Sequence, residues 1–181
     1  MSKGKAIIKG YAKRYFIDAM GAMALGLFAS LLISTILGTL ADYIPWAPLA
    51  GILDTVATYA KAATGMAIGV AIAHKLGAHP LVLYACAGVG AMSNAMGAVI
   101  LDGSIQSWAA TAGTGEGIFY AAGPAGAFFA VIIACEIGML VSKKTKVDIL
   151  VTPLANILSG VGLAALIAPA IGTAASSVGE F

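Results

Sequence analysis

Residues 117–142 read GIFYAAGPAGAFFAVIIACEIGMLVS, and this stretch decides the fold. It is long and apolar enough to cross a bilayer, which takes about 20 consecutive apolar residues. It is interrupted near its start by Gly123-Pro124-Ala125-Gly126 and holds one carboxylate, Glu136, deep in the apolar run. A basic cluster, Lys143, Lys144 and Lys146, closes it. A carboxylate at such depth is costly unless it faces protein, water or a ligand. Helix breaks at that depth are tolerated only where other groups satisfy the freed backbone.

Composition agrees. The 181 residues are 60% hydrophobic and 10% charged, with a mean hydropathy of +0.97. A soluble domain carries roughly 25% charged residues, so the chain reads as an all-helical, multi-span membrane protein. Working outward, residues 1–18 read as a cytoplasmic amphipathic segment: Lys5, Lys9 and Lys13 recur on one side, Ile8, Tyr11 and Tyr15 on another. A basic start that simply extends the first span is the equal alternative. Apolar runs then predict spans near 19–41, 55–73, 81–101, 117–142 and 149–171, with a polar tail at 172–181 in a membrane domain of 19–171. The first run is expected to stay in the membrane rather than act as a cleaved signal, since it lacks a small-residue exit site.

Five spans with the N-terminus inside give inner segments 1–18, 74–80 and 142–148, which hold five, one and three Lys or Arg residues. The outer segments 42–54, 102–116 and 172–181 hold none, and the tenth basic residue, Lys61, lies within a span. That asymmetry is the positive-inside pattern. It excludes a nucleic-acid partner as the reason for the lysines. An odd span number also leaves the chain open to reading as half of an inverted repeat, the plan by which many transporters build a central site.

Polar residues within the spans are the candidate substrate-binding groups. Helical rise puts Lys61 and Asn94, with Ser93, about 10–12 Å beneath the outer boundary. Glu136 and Asn156 fall at similar distances from the inner one. Each has a plainer reading: Lys61 snorkels, Asn94 and Asn156 join helices, and Glu136 pairs structurally. A helix beginning at Gly123, Pro124 and Gly126 would point its N–H groups at a polar ligand or anion; an ordinary kink is the alternative. His74 and His79 read as loop histidines, and Cys86 and Cys135 as small core residues without metal-ligand spacing. No catalytic triad, metal, cofactor or nucleotide motif is present, and GTGEG at 113–117 lacks the GK[ST] of a phosphate loop.

Three stretches together resemble a known family. AKRYFIDAMGAMALGLFASLLISTILGTL (12–40), MSNAMGA (92–98) and GPAGAFFAVIIACEIGMLVSKKTKVDILVTPLANIL (123–158) are similar to the phosphotransferase-system EIIC-like membrane domains that include regulators of perfringolysin production. The resemblance implies the N-terminal half of a longer permease in the bacterial cytoplasmic membrane. Its solute would be a sugar or similar small polar molecule. Its partners would be the bilayer, a second membrane half or further copies, and phosphotransferase-system components. Sugar phosphorylation would need separate phosphoryl-donor domains. The resemblance supplies no site residues. A non-transporting sensor, and a substrate-capture subunit of a larger transporter, are the rival expectations.

Overall fold

A computed structural model describes residues 3–95, 123–144 and 147–179. The sequence expectations for 96–122, covering the end of the third span, the 102–116 loop and the start of the fourth span, lie outside the described residues.

The chain begins as one long helical rod. Helices α1 (Lys3–Ala12), α2 (Ala19–Leu27) and α3 (Ile33–Tyr43) run on through two π-helical segments, Lys13–Asp18 and Phe28–Leu32. The backbone therefore does not stop at the sequence boundary drawn at residue 18. The apolar part, Ile8–Tyr43, counts 36 residues, or about 54 Å of helix against a hydrocarbon core of about 30 Å. The surplus is the basic end, so the amphipathic segment and the first span are one element.

Ile44, in the extended conformation that a following proline favours, turns the chain into α4 (Ala47–Ala62), whose first turn holds Pro48. The sequence reading placed one uninterrupted span at 55–73. Instead α4 and α5 (Thr64–Lys75) form a pair bent by 48° at Ala63. The ψ of Ala63, −4°, departs from helical geometry and interrupts the bond ladder. A break within an apolar helical pair is present, then, two residues before Gly65.

At the end of α5, Gly77 takes φ +77°, and the bonds from Gly77 N–H to His74 O and from Ala78 N–H to Ala73 O close a Schellman turn. Pro80 opens α6 (Pro80–Ala95) directly after it. Helix α7 (Gly123–Val141) begins at a glycine with φ +56° and is continuous to its end, so Gly123-Pro124 is a start rather than an internal kink within the described residues. Asp148 opens α8 (Asp148–Gly179). Its carboxylate accepts hydrogen bonds from the Lys143 backbone N–H at 2.9 Å and from the Thr152 hydroxyl.

Helix α6 is the hub, packed against α5, α7 and α8, while α2 lies on α5 and α3 pairs with α4. Small residues permit this. A methyl group on Gly26 would meet the Ala67 carbonyl oxygen at 2.8 Å, and one on Gly65 would meet Asn94 Cβ at the same distance. The buried core is built from Ile68, Ile72, Val82, Val89, Val131 and many alanines, the small-residue interface expected where lipid supplies no hydrophobic drive between helices. By length and apolar composition, the described residues hold two spanning helices, Ile8–Tyr43 and Gly123–Val141, or three with the bent pair counted as one span; Asp148–Ala164 is a shorter apolar helix.

Candidate functional site

The polar residues gather at two heights along the bundle. The lower lies near the end carrying Lys75 and Lys143. There Glu136 Oε1 accepts hydrogen bonds from Arg14 Nη2 and from the Tyr15 hydroxyl, each at 2.9 Å. Arg14 also donates to the Leu76 carbonyl at 3.3 Å, one of the carbonyls left without a helical partner at the end of α5. Tyr11 stacks on Tyr15 with ring centroids 6.2 Å apart, and the Arg14 guanidinium lies 5.6 Å from the Tyr15 ring. One cluster thus ties α1, through its π-helical segment, to α5 and α7. Side-chain exposure of 41% for Arg14 and 32% for Glu136 makes this a half-wet pair, screened far more than a dry one. Sequence reasoning missed Arg14 and Tyr15 as partners of Glu136, because they lie 122 and 121 residues away. The available signal was the cation and phenol on the stripe that also carries Tyr11.

Asn156, expected at the same height as Glu136, does not touch it. Fully buried, it donates Nδ2 to the Val82 carbonyl at 3.1 Å and lies 3.4 Å from Cys86 Sγ. Gly138 is the α7 residue that makes room for it: a methyl group there would meet Asn156 Nδ2 at 3.1 Å. Gly138 and Glu136 are two residues apart and so point to nearly opposite sides of α7. The two polar groups are neighbours in height with α7 between them. Cys86 and Cys135 are free and buried.

The upper height follows from the helix registers. Antiparallel α5 and α6 place Gly69 against Cys86 and Gly90, and Gly65 against Gly90, Ala91 and Asn94. Continuing that register by half a turn sets Ser93 and Asn94 level with the break at Ala63. On the other side of α6, Val82 meets Gly138, and Val89 and Ala134 close on Gly160. One turn further along, Ser93 reaches the first two turns of α7, which hold Gly126. Counted from the lower helix ends, Ser93, Ala63 and Gly126 all stand about 18–22 Å up. Asn94 faces the start of α5, whereas Ser93, by the register of Val82 on Gly138, stands level with the second turn of α7. Ser93 is fully buried, and its hydroxyl has no hydrogen-bond partner among the described residues. Lys61 is exposed in the last turn of α4 at this height, and the Thr64 hydroxyl donates to its carbonyl at 2.7 Å. Gly126 is buried, while Gly123 and Pro124 are half-buried at the mouth of α7.

Two open surface grooves are lined almost wholly by apolar groups. One, about 500 Å³, runs between α2 and α5 past Gly26, Ala67 and His74; the other, about 360 Å³, follows α3 from Leu32 to Tyr43. Neither reaches Ser93, Asn94 or Glu136. Among the described residues no group of three or more His, Cys, Asp or Glu side chains is placed to hold a metal ion.

Comparison with known families gives one match: residues 17–181 fit the family described as phosphotransferase system, EIIC. The match starts three residues after Arg14. No curated protein and no solved structure matches the chain.

Proposed function

Because the chain belongs to the phosphotransferase system EIIC family, a family of membrane sugar-transport components, we propose that it carries a sugar-like solute through a pathway with two polar stations. The observation that carries this reading is the coincidence, at one height, of the α4–α5 break, the α7 N-terminus and the Ser93–Asn94 pair. Broken helices that expose backbone groups beside side-chain amides and hydroxyls are how many transporters hold polar solutes at depth. The lower station is the Arg14–Glu136–Tyr15 cluster, which joins three helices at the basic end. An ion pair of this kind holds the helices together when made and frees them when broken, so it serves as the inner gate.

In this reading the chain spans the bacterial cytoplasmic membrane five times with its N-terminus inside. The pathway is completed by a second membrane half or by further copies. Phosphotransferase-system proteins supply any phosphoryl group, and no residue here transfers it. The test is accumulation of labelled sugars in sealed vesicles from cells producing the chain, with chain-free vesicles as control. The wild type admits at least one sugar faster than the chain-free vesicles do, and Glu136→Gln cuts the initial rate at least tenfold while the amount inserted stays the same. Equal accumulation with and without the chain overturns the transport reading; an unaffected Glu136→Gln variant removes the gate from it.

A further inference from the structure

We infer that the groove between α2 and α5 is a phospholipid site: one acyl chain lies in it, and the head-group phosphate rests against His74 and Lys75. This holds whichever solute the chain carries. The groove, about 500 Å³, follows one face of α5 from Ala63 to His74, or about 17 Å of helix. Gly26 sets its floor, because a methyl group there would meet the Ala67 carbonyl oxygen at 2.8 Å, so the two helices nearly touch along this line. Ala29, Ala67 and Ala71 border the contact, and their side chains are too short to fill the crevice between the two cylinders. Ala67 and Gly69 are two residues apart, so the groove lies on the face of α5 turned away from α6.

Width and length both select a lipid chain. A volume of 500 Å³ over about 17 Å gives a section of about 30 Å². An extended hydrocarbon chain enters such a groove, whereas a helix, about 10 Å across, can only lie over it. The groove starts at the basic end of the bundle and stops at the bend at Ala63. Its length of about 17 Å is close to one leaflet, half of a hydrocarbon core of about 30 Å. A chain from the leaflet at the basic end therefore fits from end to end.

Charge selects the head group. His74 closes the groove at the basic end, and the exposed Lys75 follows it in the last turn of α5. From the contact of Gly26 with Ala67, Asp18 and Lys75 each lie eight residues towards that end, so Asp18 is the acid at their height on the neighbouring helix. An imidazole and an ammonium against one carboxylate favour a phosphate over an uncharged head group. An imidazole N–H donates to a phosphate oxygen in either protonation state. The groove along α3 is the contrast: smaller, at about 360 Å³, and bordered from Leu32 to Tyr43 by no basic residue.

The experiment is native mass spectrometry of the full chain, purified in mild detergent, stripped of lipid and mixed with equal amounts of phosphatidylglycerol and diacylglycerol of the same acyl chains. The wild type should keep one phosphatidylglycerol per chain and severalfold less diacylglycerol. Ala71→Phe, which fills the groove, should lower that occupancy severalfold, while Thr39→Phe, in the groove along α3, should leave it unchanged. A double variant, His74→Ala with Lys75→Gln, should bring the two lipids to equal retention. Ala29→Leu fills the groove from its other wall and replaces Ala71→Phe if the lipid-free melting curve shows that variant unfolded. Equal retention of both lipids by the wild type overturns the phosphate contact. Full occupancy in the filled variants overturns the groove as the site. A dimer that Ala71→Phe splits without loss of lipid overturns it too, and makes a second copy of the chain the occupant.

Discussion

Glu136 shows how far one residue can be read before its partners are known. Its place in an apolar run demanded a compensating group, and that group is the Arg14–Tyr15 pair. The pair is half exposed, so its coupling should be about 1 kcal/mol or less. A double-mutant cycle of Arg14→Gln and Glu136→Gln, followed by thermal melting in detergent, should show the double variant no less stable than the worse single one. Strict additivity would mean the contact does not form. Asp148 is the residue for which pH decides. The Thr152 hydroxyl, then the Lys143 backbone N–H, hold its carboxyl below the ordinary range, with the Lys143 and His79 charges adding to this. A lowered folded pKa stabilises the fold at pH above the unfolded value of about 3.9. That contribution is lost as pH falls through the folded pKa. Melting temperatures of wild type and Asp148→Asn should therefore differ at pH 6 and converge towards pH 3; a constant difference would remove the charge from the explanation.

At the scale of elements, the close approach of α5 to α6 is the feature most exposed to substitution. Gly65, Gly69 and Gly90 leave no room for a side chain against the facing backbone. Gly69→Val should cost about 1–3 kcal/mol or more, as overpacking does, and lower the melting temperature clearly; Gly51→Val, where the surroundings are open, should be nearly silent by comparison. The same scale shows what the sequence could yield. Apolar run lengths and proline placement predicted helices through most of the described chain, and the GxxxG spacing of Gly65 and Gly69 marked a close interface correctly. The 48° bend at Ala63 escaped because Gly65, two residues on, was read as a position for close helix packing rather than as a weak point in the helix. Tertiary packing of α4 on α3 and of α5 on α6 imposes it. Asn156 could be read as polar and buried, but which way it faced depended on the rotation of α8, fixed by contacts that periodicity does not encode. The long reach from Arg14 to Glu136 is a product of topology, invisible in any local window.

For the whole molecule, the proposed route depends on Ser93 and Asn94 of α6 standing level with the start of α5 and the first two turns of α7. The plainer alternative is that Ser93 and Asn94 only join helices, with no route for a solute between them. Their accessibility separates the two. In a variant with Cys86 and Cys135 replaced by alanine, Ser93→Cys provides a single thiol at the upper station. The decisive measurement is its rate of modification by a small, charged, membrane-impermeant thiol reagent in sealed vesicles, with and without a sugar the protein accumulates. The account predicts measurable labelling, slowed at least severalfold by that sugar. A thiol that stays inert until the protein is denatured, or that reacts at a rate the sugar does not change, would contradict it.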